Sequence, residues 1–277
     1  MSTMLSVPRI GPMLRLRALP EWWRGVCVAG LLLERELQYL GQELDNPARP
    51  FVVILGGAKV SDKITVIDRL IEKADALLIG GAMAYTFRLA KGYQTGKSLV
   101  EPDKVDVAKE AMAKAEQRGM KFMLPADDVV AVPVKTDKLD KKGKPILEYQ
   151  QVRVNSTMDC PPDMAGLDIG PATVQAYAEV IQGARTILWN GPMGLFENKT
   201  FAKGTNDIAA AVVEATKHGA KSIIGGGDSV KALNKAGLGH QVTFMSTGGG
   251  ASLEFLEGKL LPGVAALADK PSCCCCC

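Results

Sequence analysis

Apolar and polar positions follow two alternating periods along the chain. Short, fully apolar runs rich in β-branched residues predict buried strands at 51–55, 76–79, 121–124, 186–189, 222–224 and 242–245. Apolar residues at helical spacing predict helices between them at 64–73, 82–91, 102–118, 172–182, 206–217 and 229–235. This alternation predicts an α/β fold, a Rossmann-like three-layer sandwich in which helices cover both faces of a parallel sheet.

Three segments depart from the alternation. Lysines and aspartates interleave over 135–149, which favours an exposed hairpin or loop over a phosphate-binding patch. Residues 1–27 show no period, and 271–277 end in five consecutive cysteines. We therefore expect one α/β domain over 28–270, a separate N-terminal segment over 1–27 and an unstructured cysteine tail over 271–277.

Composition excludes several classes of protein. The 47% hydrophobic content excludes a disordered chain, and no apolar run is long enough to cross a membrane. All of the net charge of +3 arises within residues 1–30, so nothing indicates a nucleic-acid partner. Only Cys27 and Cys160 precede the tail, as expected in a reducing compartment. We expect a cytoplasmic monomer; the arginines and scarce acids of 1–27 only weakly suggest organelle targeting.

Glycine clusters follow four of the predicted strands, at Gly56-Gly57, Gly80-Gly81, Gly225-Gly226-Gly227 and Gly248-Gly249-Gly250. The carboxyl ends of parallel strands share one edge of the sheet, where ligands bind at the point at which the strand order reverses. A single cluster would indicate only a tight turn. Four clusters on one edge indicate an anion-binding crevice, because glycine lets backbone N–H groups approach phosphate closely.

Two lysines follow the first glycine cluster. If Ser61 or Asp62 caps the next helix, Lys63 lies in its first turn, where the helix dipole disfavours a cation by about 0.3–1 kcal/mol. A cation in that position calls for a bound anion. Lys59 lies one turn earlier, so the two lysines could hold a polyphosphate together, although either could equally be a solvated surface lysine.

Asp228 follows the third glycine cluster at the predicted start of a helix. Its structural role would be to cap that helix, and its functional role would be to bind Mg²⁺, which takes one or two carboxylates besides substrate phosphates. The two roles can coexist. Residues 92–98 resemble a Walker A loop, but three residues separate its glycines where four are required, so we reject that motif.

Four segments, 55–63, 189–197, 225–229 and 246–252, resemble the signatures of phosphoglycerate kinase in order and spacing. The resemblance covers about 28–269 and points to the C-terminal, nucleotide-binding domain of that family. It implies phosphoryl transfer between 1,3-bisphosphoglycerate and ADP in glycolysis, with ADP or ATP and Mg²⁺ as cofactors. It also implies catalytic roles for Lys59 and for the backbone N–H groups of Gly248, Gly249 and Gly250.

The resemblance further implies a set of nucleotide contacts. Lys63 would hold the inner phosphates, Asp228 the Mg²⁺ and Glu197 the ribose hydroxyls. The phosphate chain would also meet Asn190, Gly226, Gly227 and Ser229. The adenine slot would be walled by Gly80, Gly81, Gly166 and Leu167.

The acceptor side is the large departure from the family. Nothing in 1–27 resembles the basic patch of the N-terminal domain that binds 3-phosphoglycerate, so 3-phosphoglycerate or 1,3-bisphosphoglycerate would bind only if an N-terminal half were supplied. We expect the chain alone to be nearly inactive. The alternative is a catalytically inactive nucleotide-binding or regulatory module derived from the family, whereas Lys59 and Lys63 together with Asp228 argue against an unrelated Rossmann-like enzyme.

Overall fold

The computed structural model describes residues 29–139, 143 and 145–267. The predictions for 1–27 and 271–277 lie outside these residues. The strands within them are β1 (Phe51–Leu55), β2 (Ala76–Ile79), β3 (Lys121–Met123), β4 (Asp128–Leu139), β5 (Pro145–Asn155), β6 (Ala165–Ile169), β7 (Thr186–Asn190), β8 (Lys221–Gly225) and β9 (Phe244–Met245).

The α-helices of the same residues are α1 (Leu31–Leu37), α2 (Glu43–Asp45), α3 (Ile64–Lys73), α4 (Met83–Ala90), α5 (Val105–Gln117), α6 (Pro171–Gln182), α7 (Lys203–Lys217), α8 (Gly227–Lys235), α9 (Gly250–Leu256) and α10 (Pro262–Ala265). A π-helical segment, Gln38–Gln42, joins α1 to α2. Among the described residues, none of the helices has the length and apolar character needed to span a membrane.

The main sheet has six parallel strands in the order β3-β2-β1-β7-β8-β9. The chain builds outward from β1 to β3, then returns to place β7 on the other side of β1. The strand order therefore reverses between β1 and β7, and the carboxyl ends of these two strands flank the switch point. The predicted α/β fold with a parallel sheet is confirmed.

The three-layer arrangement follows from β1, whose five residues are all buried. Phe51, Val53 and Leu55 pack in one apolar cluster with residues of α3 and α5. Val52 and Ile54 pack in a second cluster with residues of α6 and α7. Successive strand residues face opposite sides, so β1 supplies both cores, and each buried aliphatic or aromatic side chain contributes about 1.5–3 kcal/mol.

A second sheet accounts for the departure predicted near 135–149. It contains three antiparallel strands in the order β5-β4-β6. The hairpin prediction is confirmed in kind, but its strands extend over 128–155, and β6 was not predicted at all. Most of β5 is exposed, so its sequence lacks the apolar alternation of a half-buried strand.

Helix prediction was accurate where one face is strongly apolar. The bounds of α3 match the predicted 64–73, and α6 begins only one residue before its predicted start. By contrast, α7 begins at Lys203 and not at residue 206, and α1, α2, α9 and α10 were not predicted. These four helices are three to seven residues long, too short to show a helical period.

Candidate nucleotide site at the sheet switch point

The loops after β1, β2 and β7 are hydrogen-bonded to one another at the switch point. The N–H of Gly57 donates to the carbonyl of Pro192 at 2.9 Å, and the N–H of Gly81 donates to the carbonyl of Met193 at 2.9 Å. A Cβ atom on Gly56 would overlap the Pro192 carbonyl, so only glycine fits there. These glycines therefore serve loop packing, and the expectation that their N–H groups meet phosphate is wrong for Gly57 and Gly81.

Lys63 projects into the centre of this cluster of loops. Its Nζ lies 2.6 Å from the carbonyl oxygen of Gly56 and its side chain is buried. Cβ atoms on Gly191 and Gly57 would stand only 2.8 and 3.1 Å from that Nζ, so the two glycines make the space that the amine occupies. Lys63 makes no ion pair with any carboxylate of the described residues.

Burial makes the charged form of Lys63 less favourable than it is in water. Removal from water lowers the pKa of its amine from 10.5 to about 8, against the opposing effects of Asp62 and then Asp228. A buried ammonium group without an anionic partner is unfavourable, and a bound anion would relieve that cost. The switch point thus holds a cation prepared for an anionic ligand.

The predicted helix cap beside Lys63 is wrong. Lys63 itself occupies the N-cap position of α3, and Ile64 begins the helix. Ser61 is instead engaged by Glu101, whose carboxylate accepts from the Ser61 N–H at 3.0 Å and from its hydroxyl at 2.6 Å. Lys59 lies on the same turn and is exposed. The two lysines therefore differ sharply in their surroundings.

Asn190 ends β7 and presents an amide to the neighbouring glycine loop. Its side chain is buried, and its Nδ2 has no hydrogen-bond acceptor among the described residues. That nitrogen stands 3.0 Å from the position a Cβ would take on Gly225 and 3.3 Å from that on Gly226. An unsatisfied buried donor beside a glycine turn is a position where an anion would be bound favourably.

The start of α8 differs from its prediction. Gly226, at φ +83°, is the N-cap, so Asp228 is the second helical residue and the prediction that it caps the helix is wrong. No side chain caps α8, which leaves its first N–H groups without an intrahelical acceptor. The positive φ of Gly226 is the physical reason, since it turns the chain into the helix before Asp228.

Asp228 and its neighbour Ser229 face different surroundings. The Asp228 carboxylate is 58% exposed and pairs with Lys231 at 2.9 Å. The Ser229 hydroxyl is buried and accepts from the N–H of Gly191 at 2.6 Å. Asp228 is thus free to exchange its partner for a metal ion, whereas Ser229 ties α8 to the loop after β7.

Glu197 lies in the loop from Gly191 to α7 and is exposed. Its carbonyl accepts from Lys235 Nζ at 3.3 Å, and the preceding Phe196 is buried against Ala202 and Ala232. The loop therefore holds the Glu197 backbone in place and leaves its carboxylate in solvent.

The residues implied for the adenine slot lie on either side of this loop. Gly80 packs against the Met193 side chain, where a Cβ atom would overlap the sulfur. On the other side, the Leu167 carbonyl accepts from the N–H of Leu195 at 2.8 Å. Gly166 abuts the Tyr85 ring, which occupies the space of a Cβ atom. The fold thus brings Gly80, Gly81 and Leu167 to one loop, with Gly166 next to them.

The fourth glycine cluster is held from a distant part of the chain. Thr247, just before Gly248, donates through its N–H and its hydroxyl to Glu36 Oε1 at 2.6 and 2.9 Å. Gly249 is the N-cap of α9 and has no capping side chain. Sequence reasoning missed Glu36, because a single buried glutamate in an unpredicted helix carries no local signal.

Comparison with known proteins confirms the resemblance. The sequence model of the family described as "Phosphoglycerate kinase" matches residues 18–259. The chain belongs to the phosphoglycerate kinase family. The phosphoglycerate kinase of Koribacter versatilis is 55% identical over 242 residues, and that of Chloroflexus aurantiacus is 54% identical over 242 residues. These matches cover 87% of this chain but 57% and 58% of the two relatives.

Solved structures agree with this membership. Phosphoglycerate kinase from Coxiella burnetii superimposes with a TM-score of 0.76 at 40% identity, over 86% of this chain and 58% of that one. The enzyme from Pyrococcus horikoshii gives a TM-score of 0.67 at 33% identity, over 86% and 56%. The chain thus spans less than three fifths of the length of these relatives.

Proposed function

We propose that this chain binds ADP or ATP with Mg²⁺ and forms the nucleotide side of phosphoryl transfer between 1,3-bisphosphoglycerate and ADP in glycolysis. The observation that carries the proposal is the Lys63 amine, buried at the switch point with a backbone carbonyl as its hydrogen-bond acceptor. A nucleotide phosphate would supply the missing anion. Charge-assisted hydrogen bonds of this kind contribute about 1.5–3 kcal/mol.

The neighbouring donors fit the same ligand. Asn190 Nδ2 and the uncapped N-terminus of α8 are hydrogen-bond donors at the end of β7 and after β8, which adjoin in the sheet. Phosphate chains bind at such helix N-termini. Glu197, exposed on the loop between β7 and α7, would accept from the ribose hydroxyls, and the backbone around Gly80 and Leu167 would flank the adenine.

Asp228 fits Mg²⁺ as a single carboxylate ligand. The described residues contain no cluster of three His, Cys, Asp or Glu side chains that could hold a metal without further ligands. Mg²⁺ retains waters and binds through one or two carboxylates plus substrate phosphates, so one exposed aspartate suffices. When bound, the ion would offset the negative charge of the phosphates. Asp228 would leave Lys231 to reach it.

Phosphoryl transfer to a carboxylate requires no general base, because the acceptor is already ionised, so catalysis depends on positioning and charge. Lys59 and the N–H groups of Gly249 and Gly250 would face the transferred group, and the Gly248 N–H, which donates to the Ser246 hydroxyl at 3.2 Å, would have to exchange that acceptor to do the same. Positioning the acceptor would require the domain that the resemblance places outside this region. Such positioning can contribute about 7–11 kcal/mol, so we propose that the 277-residue polypeptide alone is nearly inactive.

A nucleotide-binding or regulatory module without turnover is the second candidate. Supplying a family N-terminal half in trans distinguishes the two. If this chain is the nucleotide-binding half of a kinase, it should gain measurable phosphoryl transfer when the N-terminal half docks to it. If it is a regulatory module, it should not.

Calorimetry with Mg-ADP tests the binding proposal directly. We expect saturable binding and a midpoint of thermal unfolding that rises with ADP concentration, as mass action requires. Absence of any concentration-dependent stabilisation up to millimolar ADP would contradict the proposal.

An activity assay tests the rest. A Lys59→Ala/Lys63→Ala variant, purified identically, serves as the control for contaminating host kinase. Turnover that the parent chain shows and this variant lacks would overturn the predicted inactivity.

A further inference from the structure

Asp168 is a buried carboxylate that the proposed function leaves without a role. It lies on β6, is 4% exposed, and forms no ion pair with a described residue. Its Oδ2 accepts from the N–H of Gly204 at 2.6 Å, and its Oδ1 accepts from the N–H of Ile169 at 3.0 Å. Gly204 is in the first turn of α7, where backbone N–H groups have no acceptor within the helix. The Asp168 carboxylate, on a strand of the three-stranded sheet, supplies that acceptor.

The same carboxylate also contacts the loop that precedes α7. A Cβ atom on Gly194 would overlap Asp168 Oδ1, and one on Gly204 would stand 2.5 Å from the same oxygen. Both glycines thus leave space for the carboxylate, one from each end of the segment 194–204. Glu197 lies within this segment.

The charges around Asp168 do not neutralise it. Lys203 and Asp207, both on α7, face it and pair with each other at 2.7 Å. Burial, and then Asp207, raise the pKa of the Asp168 carboxyl to about 7, whereas the N–H groups of Gly204 and Ile169 and the charge of Lys203 act to lower it. A carboxylate is an unfavourable choice for filling this space, which indicates that its strong acceptor oxygens are what the position requires.

We propose that Asp168 is a positioning residue for ribose recognition, which fixes the segment 194–204 so that Glu197 faces the ribose hydroxyls. This inference rests on the proposed function, since it takes Glu197 as the ribose ligand. Asp168 would not contact the nucleotide. It would act through Gly194 and Gly204, at the two ends of the segment.

The geometry makes this effect selective. Lys63 lies on the turn between β1 and α3, whereas Asp168 contacts the segment between β7 and α7. Loss of Asp168 should therefore weaken contacts to the ribose and spare contacts to the phosphates. A general loss of folding would weaken both.

Binding of three probes separates these effects: ADP, 2′,3′-dideoxy-ADP and inorganic tripolyphosphate. We expect Asp168→Ala to lower ADP affinity about tenfold, the size of one lost hydrogen bond, and to change the affinity of the other two less than about twofold. Asp168→Asn keeps an acceptor for the Gly204 N–H and should restore most of the ADP affinity. Asp207→Asn is the control at pH 8, where the Asp168 carboxyl is mostly ionised whether or not Asp207 is present. It removes a nearby carboxylate that pairs with Lys203 and accepts no hydrogen bond from Gly194 or Gly204, and should leave all three affinities unchanged there.

A double-mutant cycle with Glu197→Ala completes the test. If Asp168 acts through Glu197, the two losses of ADP affinity will not add. Equal losses for ADP and tripolyphosphate in Asp168→Ala, or additive losses in the cycle, would overturn the positioning role while leaving nucleotide binding intact. Unchanged ADP affinity in Glu197→Ala alone would instead remove Glu197 from the proposed site, and the inference with it.

The pH dependence provides a readout that does not require Asp168→Ala to fold. The ionised carboxylate is the stronger acceptor for the Gly204 N–H. We expect the ratio of ADP affinities, parent over Asp168→Asn, to rise between pH 6 and pH 8, around the raised pKa of about 7. A flat ratio would contradict the inference.

Discussion

Two of the charged positions in the candidate site, Lys63 and Asp228, are built in opposite ways. At the switch point, Lys63 is buried among glycines and has only a backbone carbonyl as its acceptor. At the start of α8, the Asp228 side chain is 58% exposed and already paired with Lys231. The fold therefore holds the cation in place before any ligand arrives, and it leaves the carboxylate in solvent with an exchangeable partner.

The two positions differ in how much free energy of folding they cost. Desolvation of Lys63 disfavours its charged form in the folded chain, and a phosphate would recover that energy on binding. Asp228 costs the fold little, since exposed ion pairs contribute about 0–1 kcal/mol. We expect substitutions at Lys63 to change both stability and affinity, and substitutions at Asp228 to change mainly the response to metal.

The largest expected effect is on nucleotide affinity. Lys63→Ala should weaken ADP and ATP binding by about 1.5–3 kcal/mol, because it removes a charge-assisted contact from a buried position. Titration calorimetry measures the loss. Lys231→Ala is the matched control, a lysine at the exposed end of the site, and should change affinity far less. Equal losses in the two variants would show that the buried lysine contributes no more to binding than an exposed one.

The next effect concerns stability without ligand. The pKa of Lys63 is lowered to about 8, so between pH 8 and its unfolded value of 10.5 the unfolded chain binds more protons and stability rises with pH. Below pH 8 the full cost is present. Lys63→Met should therefore stabilise the chain at pH 7 by about 1–2 kcal/mol after allowing for the lost hydrogen bond to Gly56.

Denaturant unfolding at pH 7 and pH 10 measures that effect. The advantage of Lys63→Met over the parent should shrink at the higher pH. An advantage that does not depend on pH would show that packing and not charge explains it.

A smaller effect is expected at Asp228. Asp228→Asn should reduce the enhancement of ADP binding by Mg²⁺ by about 1 kcal/mol, since a neutral amide is a weaker ligand for a hard cation. Its stability should change by less than about 0.5 kcal/mol, because the pair with Lys231 is exposed. Paired calorimetric titrations with and without Mg²⁺ provide the measurement. Undiminished enhancement would leave Asp228 without a metal role.

Asp168 gives a prediction for how the stability of the folded chain depends on pH. Its pKa is raised from 3.8 to about 7, so the folded chain binds more protons than the unfolded chain between these values, and this group makes stability fall as pH rises through them. Asp168→Asn should remove that slope. Unfolding of parent and variant at pH 5 and pH 8 measures it, and parallel stabilities would show that Asp168 has an ordinary pKa.

The local pattern of apolar residues was sufficient to predict the buried strands of the main sheet and the helix α3. The bounds of β1, β2 and α3 agree with prediction, because each has a complete apolar run or face and a clear end signal. Prediction failed at the exposed strand β5 and at β6, which is only partly buried, because neither has a complete apolar run. Their residues are held by pairing to β4, and such pairing leaves no period in the strand itself.

For the candidate site, the placement of residues was predictable and their hydrogen bonds were not. The glycine clusters, Lys63 and Asp228 stand at strand ends, so their presence at one edge of the sheet follows from parallel topology alone. Their hydrogen bonds do not. The cap expected from Ser61 was lost to Glu101, forty residues away in sequence, and the cap expected from Asp228 was replaced by Gly226.

The amino-acid sequence by itself determined the parallel α/β architecture, the edge that carries the site and the lysines and carboxylates available there, because these depend on periodicity and on strand-end residues. Only the tertiary structure decided which of these groups are buried. It encloses Lys63 between Gly57 and Gly191, leaves Lys59 and Asp228 exposed, and places Asp168 against Gly194 and Gly204. Burial depends on residues distant in sequence, and it sets the charge and hydrogen-bonding state from which the chemistry follows.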